Sequence, residues 1–235
     1  MTQSVFRVLA LIGSLAIAAG CQSDSQKPDA QAAKEERAGS GPSANPTTGP
    51  DKAALIFSDD FSNPSSGWER QRDEDYITDY AEGEYQVKNA TDHQITRGMF
   101  ESREVSDGDF SVTARKISGP DDIRFGLAAR YNDQGFLEAS VLPDGRCNLW
   151  VAHYANYALR TKPNFKPCPA VRRGNEPNEL RLVVKGARAL FYVNGQKVAE
   201  LNNLDQEGRA FGLFANSTSA ASDVRFDNFA LHEAP

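Results

Sequence analysis

Histidine and cysteine are scarce in this chain of 235 residues, with three of each. The histidines, His93, His153 and His232, stand far apart, and no Cys-x-x-Cys or His-x-x-x-His spacing occurs. The glycine-rich stretch 39–42 is not followed by the Gly-Lys-Ser/Thr of a phosphate-binding loop, and there is no Gly-x-Ser-x-Gly elbow. The sequence therefore has no pattern for a zinc site, a nucleotide site or a serine hydrolase.

Positive charge is not in excess either. The chain has 26 Lys and Arg against 32 Asp and Glu, a formal net charge of −6 and a pI near 5.2. Nucleic-acid binding needs a basic face that neutralises phosphates, so no nucleic-acid partner is expected. Attachment to anionic lipid by charge alone is excluded on the same ground.

The first twenty residues have the pattern of an export signal. Arg7 precedes the apolar run Val8–Ala19, which at about a dozen residues is shorter than the ~20 that span a bilayer. The run ends in Ala-Gly-Cys21, which resembles the signal of bacterial lipoproteins. The resemblance implies that residues 1–20 are removed, that Cys21 carries acyl chains such as palmitate, and that lipid holds the chain on a membrane. In that family, Gln22 implies the outer membrane of a Gram-negative envelope, on its periplasmic or surface face.

Residues 21–50 are predicted to be the lipidated cysteine and a disordered tether. After Cys21 the segment has no Val, Ile, Leu, Met or aromatic residue, and Ala, Gly, Ser, Pro and charged residues fill it. Such a composition buries too little apolar area to offset the conformational entropy of ordering the chain. A flexible coil of this length reaches about 30 Å, which would hold a domain clear of the lipid.

Residues 51–235 have the sequence pattern of one all-β domain. Short runs alternate apolar and polar residues, as in Phe110–Arg115 and Leu180–Lys185, and no amphipathic run of helical length occurs. Asn194-Gly195 lies between two strand-like runs, which is the strongest short hairpin signal, and Pro143–Arg146 predicts another tight turn. Turns recur about every ten residues, which is typical of a two-sheet antiparallel β-sandwich.

Several stretches of strand and turn pattern occur in a characteristic order: Ile56–Ser62 with Gly67-Trp68, Phe125–Asp133, Asn178–Gly195, Phe211–Phe214 and Val224–Phe229. Together they resemble the concanavalin A-like, laminin G-like jelly roll, and most of all the 3-keto-disaccharide hydrolase-like domains of exported bacterial proteins. The resemblance covers nearly all of residues 55–232 and implies that the first strand lies beside the last. It also implies an inter-sheet core of Phe125, Leu127, Leu180, Leu182, Phe191, Phe211, Leu213 and Phe226.

Cys147 and Cys168 remain as a pair once Cys21 is assigned to lipid. Export would place them in an oxidising compartment, where a disulfide bond is the default. The bond would close a loop of about 22 residues and stabilise the domain by roughly 3 kcal/mol. Two unpaired buried thiols are the alternative.

Catalysis is not predicted, although the resemblance leaves a sugar-processing hydrolase as an alternative. Glycosidases present two carboxylates to the bond that they cleave, and acids at i, i+2 and i+4 of a strand would share one face. No such strand occurs, and Asp73-Glu74-Asp75 lies in a polar segment that reads as a solvated turn. No catalytic residue is therefore assigned.

The candidate binding residues lie around one aromatic segment. Carbohydrates are held by aromatic faces and planar hydrogen-bonding groups, and residues 150–157 contain four aromatic rings and one amide. The alternative is that Trp150 belongs to the core and the tyrosines cover a sheet edge. The predicted contact residues are Arg130, Tyr131, Trp150, His153, Tyr154 and Tyr157.

A structural calcium ion is a further expectation, and no other cofactor is required. Some jelly rolls hold Ca²⁺ where the first and last strands meet, and Asp60 and Asp227 match those places and supply oxygen ligands. The alternative is that both carboxylates serve turns. The whole pattern predicts a lipid-anchored envelope protein that binds a glycan or another envelope component without catalysis. A structural or protein-interaction lipoprotein is the other alternative.

Overall fold

The computed structural model describes residues 53–91, 94–155, 158–159, 164–217 and 219–235. The predicted signal, Cys21, the whole tether and Tyr157 lie outside them. The described residues form sixteen strands and no helix: β1 (Leu55–Asp59), β2 (Gln71–Arg72), β3 (Tyr76–Ala81), β4 (Glu84–Asn89), β5 (Gln94–Met99), β6 (Gly108–Ser118), β7 (Arg124–Asn132), β8 (Gly135–Leu142), β9 (Arg146–Ala155), β10 (Ala158–Leu159), β11 (Lys166–Pro167), β12 (Asn178–Lys185), β13 (Arg188–Val193), β14 (Gln196–Asn202), β15 (Ala210–Ser217) and β16 (Ser222–His232). A helix with the length and apolarity to cross a bilayer is accordingly not found in this part of the chain.

Two antiparallel sheets form the domain. The nine-stranded sheet has the order β14-β13-β12-β6-β16-β4-β3-β2, with β1 also paired to β16. The seven-stranded sheet has the order β10-β9-β8-β7-β15-β5, with β11 also paired to β9. Asp59 of β1 lies opposite Phe229 of β16, so the first and last strands are neighbours, as the resemblance implied. The predicted two-sheet antiparallel β-sandwich is therefore confirmed.

The core between the sheets comes from alternate residues of their strands. One side of each strand packs inward because successive side chains point to opposite faces. All eight predicted core residues are buried, each with at most 2% of its surface exposed: Phe125, Leu127, Leu180, Leu182, Phe191, Phe211, Leu213 and Phe226. At one end of this core Trp68 packs edge-on against Phe229 and donates its indole N–H to Asp59 at 3.0 Å.

The two predicted turns are also present. Asn194 and Gly195 join β13 to β14 with φ angles of 49° and 79°, the left-handed conformation that a tight hairpin turn requires. Gly145, with φ of 95°, closes the turn between β8 and β9. Local turn chemistry thus sets the register of both hairpins.

A β-bulge in β7 changes the faces of two predicted binding residues. The register between β7 and β8 shifts between Ala129 and Asn132, and Arg130 has a φ of 48°. Ala128 lies on the outer face, so strict alternation would place Arg130 there too. The bulge instead turns Arg130 into the end of the sandwich and places Tyr131 against the apolar side chains of the outer face.

Arg130 connects the two sheets. Its Nε donates to Ser106 O at 3.0 Å, and its Nη2 donates to Asp107 and to Gly186 O, each at 2.6 Å. Its Nη1 donates to Gln206 O at 3.1 Å, and the residue is only 7% exposed. The guanidinium group of Arg130 is thus buried and paired with backbone carbonyls and Asp107, which leaves it no free donor face in this structure, and its contact with a ligand stays a prediction.

Replacing Arg130 by Ala is expected to lower the free energy of unfolding by about 3–5 kcal/mol, because several buried carbonyls and Asp107 lose their partner. Urea unfolding followed by tryptophan fluorescence measures this. Arg209→Ala is the matched control, since Arg209 is exposed and forms only a surface pair with Glu104 at 3.5 Å, so less than about 1 kcal/mol should be lost. Equal effects of the two substitutions would contradict a structural role for Arg130.

Candidate functional site

The outer face of the seven-stranded sheet, which faces away from the inter-sheet core, carries an unusual set of polar side chains. Residues two apart on a strand share a face, and the pairing of the strands aligns them in rows across the sheet. One row is Gly212, Ala128, Glu138 and Trp150, and the next is Arg97, Phe214, Gly126, Ser140 and Asn148.

An apolar floor lies under these polar groups. Phe136, Trp150 and Phe214 form a second buried cluster with Ala128 and Ala152, separate from the core between the sheets. Tyr131 and Tyr154 pack against this cluster, and the ring of Phe136 lies 5.9 Å from each tyrosine ring. The outer face therefore has a buried aromatic layer, at which Tyr131 and Tyr154 are the partly exposed rings.

Two arginines lie over this aromatic floor. The guanidinium carbon of Arg97 is 4.7 Å from the ring centre of Phe136 and 5.5 Å from that of Tyr131, and its Nη2 donates to the Tyr154 hydroxyl at 2.7 Å. The guanidinium carbon of Arg124 lies 5.8 Å from the ring centre of Trp150. Cation–π contacts of this kind hold both guanidinium groups in place.

A carboxylate is buried beside Arg124. Glu138 has no exposed surface, its Oε1 accepts a hydrogen bond from Ser140 at 2.8 Å, and Arg124 Nε lies 3.4 Å from the same oxygen. The arginine forms an ion pair with Glu138, although its N–H is not aligned for a hydrogen bond. A buried carboxylate is costly unless it is paired, so this contact accounts for the position of Arg124.

Unpartnered polar atoms concentrate on this face. Among the described residues, six buried side-chain nitrogen or oxygen atoms have no hydrogen-bond partner, and five of them belong here: Arg97 Nε, Arg124 Nε, Glu138 Oε2, Asn148 Nδ2 and Trp150 Nε1. Such atoms are rare in folded proteins, and each calls for a physical explanation. We call these five residues the outer-face site.

A cavity of about 310 Å³ opens beside Arg97 at the β5 edge of the sheet. Tyr131, Glu69, Gln71 and Tyr76 contribute to its lining. The nearby Tyr154 hydroxyl accepts its hydrogen bond from Arg97, and burial raises the pKa of Tyr154 more than the charge of Arg97 lowers it. The hydroxyl therefore stays protonated near neutral pH and keeps a proton to donate.

The structure brings together three of the six predicted contact residues. Tyr131, Trp150 and Tyr154 lie on the outer face. His153 lies on the opposite side of β9, with Val151, which packs against the inter-sheet core. Arg130 is buried in the sandwich end, as described above, and Tyr157 lies outside the described residues.

Four members of the outer-face site were not predicted: Arg97, Arg124, Glu138 and Asn148. A signal for one of them is visible in β8, where Glu138 and Ser140 are the polar residues of an otherwise apolar strand. Two polar residues spaced two apart in a buried strand must share a face and find partners there. Arg97 and Arg124 come from distant strands, and a single sequence gives no sign that they meet.

The predicted calcium ligands have local roles. Asp60 is exposed and accepts hydrogen bonds from the Ser62 hydroxyl at 2.6 Å and from the Ser62 N–H at 3.0 Å, and these bonds lower its pKa. Asp227 accepts from the Asn228 N–H at 2.7 Å. Among the described residues no three acidic, histidine or cysteine side chains are grouped as metal ligands. A calcium site at this edge stays a prediction.

The two cysteines of the domain are neighbours, as expected, but they are unbonded thiols in this structure. Cys147 lies on β9 and Cys168 follows β11, which pairs with β9. A hydrogen bond between the thiols and burial raise the pKa of Cys147. Both thiols line a cavity of about 510 Å³ beside Lys197 and Glu200 of β14.

Neither a family model nor a curated protein matches this chain. Solved structures do match it. The carbohydrate-binding module CBM66 from Bacillus subtilis is 15% identical, covers 71% of this chain and 96% of its own, and superposes with a TM-score of 0.52. The laminarinase catalytic domain from Thermotoga maritima MSB8 is 11% identical, with coverages of 79% and 100% and a TM-score of 0.56.

A protein of unknown function with a galectin-like fold from Bacillus subtilis is 13% identical, with coverages of 77% and 97% and a TM-score of 0.54. Identities this low show a shared fold and leave the family unassigned, so the resemblance to the 3-keto-disaccharide hydrolase-like domains stays a prediction. The chain is thus similar in fold to carbohydrate-binding and glycoside hydrolase domains, as a jelly-roll sandwich of the concanavalin A-like type.

Proposed function

We propose that this protein is an exported, lipid-anchored lipoprotein that binds a glycan at the outer-face site without catalysis. The observation that carries the proposal is the group of five buried, unpartnered polar atoms above an aromatic floor. A sugar ring presents apolar C–H groups to aromatic faces and hydroxyls to planar donors and acceptors, and the partly exposed rings of Tyr131 and Tyr154 lie beside Arg97 here. The site also spans a useful length, since four strand intervals of ~4.8 Å separate Arg97 from Asn148, roughly 19 Å.

The similar solved structures support a sugar ligand. They include a carbohydrate-binding module and a laminarinase catalytic domain, and the same sandwich therefore carries both binding and hydrolysis in other proteins. The acids of this chain favour binding. Glu138 is the only Asp or Glu in β5, β7, β8, β9 and β15, whereas glycosidases of the usual kind use two carboxylates.

A hydrolase that processes sugars is the second candidate, and Glu138 is the observation that favours it. One of its oxygens is unpartnered and buried on the sheet face, where a general acid or base would need to lie. Its partner acid would have to come from outside the strands of this sheet. A structural or protein-interaction lipoprotein is the third candidate, for which no glycan would bind.

The chain without its predicted signal and Cys21 is expected to bind selected glycans on an array, and Trp150→Phe should weaken that binding by about 2- to 10-fold. The substitution keeps an aromatic ring and removes an indole N–H that has no partner in the free protein, so stability should change little. Titration of the bound glycan measures the loss. Tyr192→Phe is the matched control, since Tyr192 lies under Arg181 in the other sheet.

The outcomes separate the three candidates. A blank array would favour the protein-interaction candidate, and release of reducing ends that Glu138→Gln abolishes would show a hydrolase. Binding that Trp150→Phe and Tyr192→Phe reduce equally would place the ligand elsewhere. The array is run with and without calcium. Glycan binding that needs calcium, and that Asp60→Asn and Asp227→Asn each abolish, would support the predicted ion site.

Cys21→Ser is expected to abolish labelling of the full chain with palmitate and to move it from the membrane fraction to the soluble fraction. The reason is that acylation at Cys21 is the proposed anchor, and two or three acyl chains hold a protein stably. Cys168→Ser is the control, because this buried thiol should carry no lipid. Membrane retention of the unlabelled Cys21→Ser protein would contradict a lipid anchor.

The exported protein is expected to contain a Cys147–Cys168 disulfide bond, because the thiols touch in the structure and the compartment supplies an oxidant. Peptide mapping without reduction should find the two peptides joined, with the mass of two hydrogens lost. Reduction should then lower stability by roughly 3 kcal/mol. Free thiols in protein from the native compartment would show that the pair stays reduced.

A further inference from the structure

The unpartnered atoms of the outer-face site are mostly hydrogen-bond donors. Arg97 Nε, Arg124 Nε, Asn148 Nδ2 and Trp150 Nε1 can only donate, and Glu138 Oε2 is the one ionisable acceptor among the five. A neutral sugar hydroxyl both donates and accepts, so a site for neutral sugars does best with donors and acceptors in balance. Four donors to one acceptor match a ligand with an excess of acceptor oxygens.

The charges of the site also favour a ligand with an excess of acceptor oxygens. Arg124 is offset by Glu138 at 3.4 Å, which leaves little net charge at that end. Arg97 has aromatic rings and the Tyr154 hydroxyl around it, and the described residues place no carboxylate within ion-pair distance of it. Guanidinium groups remain charged at all ordinary pH values, and Arg97 is half-buried, with its Nε shielded from solvent and unpartnered. Arg97 is therefore positioned to receive an anion.

We infer that the glycan bound at this site is acidic and carries carboxylate groups, as uronic acids do. This inference rests on the proposed glycan-binding function and specifies its ligand. A carboxylate is planar, accepts through two oxygens and has no proton to donate, so it fits the guanidinium fork of Arg97. The C–H faces of the sugar would meet the partly exposed rings of Tyr131 and Tyr154 beside Arg97.

One acidic side chain opposes an anionic ligand. Glu69 contributes to the cavity of about 310 Å³ beside Arg97, although its Oε2 accepts a hydrogen bond from the Met99 N–H at 3.3 Å. Its charge repels a carboxylate at Arg97 and leaves a neutral sugar unaffected. Glu69→Gln is therefore expected to raise the affinity for an acidic glycan several-fold relative to that for its neutral methyl ester.

Calorimetric titration of the chain lacking residues 1–21 tests the inference. The probes are oligouronates of galacturonate, glucuronate and mannuronate, each paired with its methyl ester, together with sulfated and neutral oligosaccharides. The affinity for an oligouronate that binds should be about tenfold or more above the affinity for its methyl ester, because esterification removes a charge-assisted hydrogen bond. The acid's affinity should also fall as salt rises.

Substitutions locate the carboxylate. Arg97→Gln should reduce the affinity for the acid to that of its ester, and Arg97→Lys should retain part of the difference because the charge remains but the fork is lost. Arg181→Gln is the matched control on the other sheet, where Arg181 stacks on Tyr192 at 5.2 Å and pairs with Asp109. Unfolding curves of each variant show that the fold is intact.

Each result has a separate meaning. Equal binding of acids and esters, or binding of neutral or sulfated sugars without uronates, overturns the acidic ligand and leaves the glycan-binding function standing. Absence of binding by every sugar overturns both. If Arg97→Gln preserves the preference for acids and Arg181→Gln removes it, the carboxylate binds on the other sheet. That result overturns its assignment to Arg97.

Discussion

The central strands of the seven-stranded sheet are hydrogen-bonded on both sides, and this constraint determines what the outer-face site can do. β7, β8 and β15 exchange their backbone hydrogen bonds with their neighbours, so their outward side chains cannot pair with that backbone and need other partners. Glu138 uses Ser140 and Arg124, yet five atoms of the face stay unpartnered. Each such atom costs about 1–3 kcal/mol, and a ligand with matching groups would offset that cost.

The bulge in β7 sets which aromatic surface this face has. Strict alternation would have placed Arg130 outward and Tyr131 in the core. Because Arg130 takes a left-handed conformation, its guanidinium joins loops of the other sheet and the Tyr131 ring lies under Arg97. The bulge in β7 therefore has two effects: Arg130 connects the two sheets at the end of the sandwich, and Tyr131 packs against the aromatic floor. Bulges next to binding sites often re-aim a side chain in this way.

Local patterns made much of the fold predictable, whereas the site depends on long-range register. Asn194-Gly195 specifies its hairpin by turn chemistry, and alternation identified buried residues such as Leu182 and Phe226 without knowledge of their partners. Trp150 was found because aromatic clusters are visible locally. Arg97 and Arg124 lie on the same face because β5 and β7 pair with opposite sides of β15. A single sequence does not encode that order in any short pattern.

The described residues of this face supply one carboxylate and several fixed donors, and the proposed glycan binding without catalysis rests on that arrangement. Hydrolysis needs a proton donor and a second carboxylate that acts as nucleophile or activates water. Glu138 has one oxygen paired with Ser140 and Arg124, and its other oxygen is buried without a partner. Arg97, meanwhile, is held by Phe136 and Tyr154 in a position it keeps without ligand. Groups fixed before binding lose little entropy on binding, which favours affinity and orientation over chemistry.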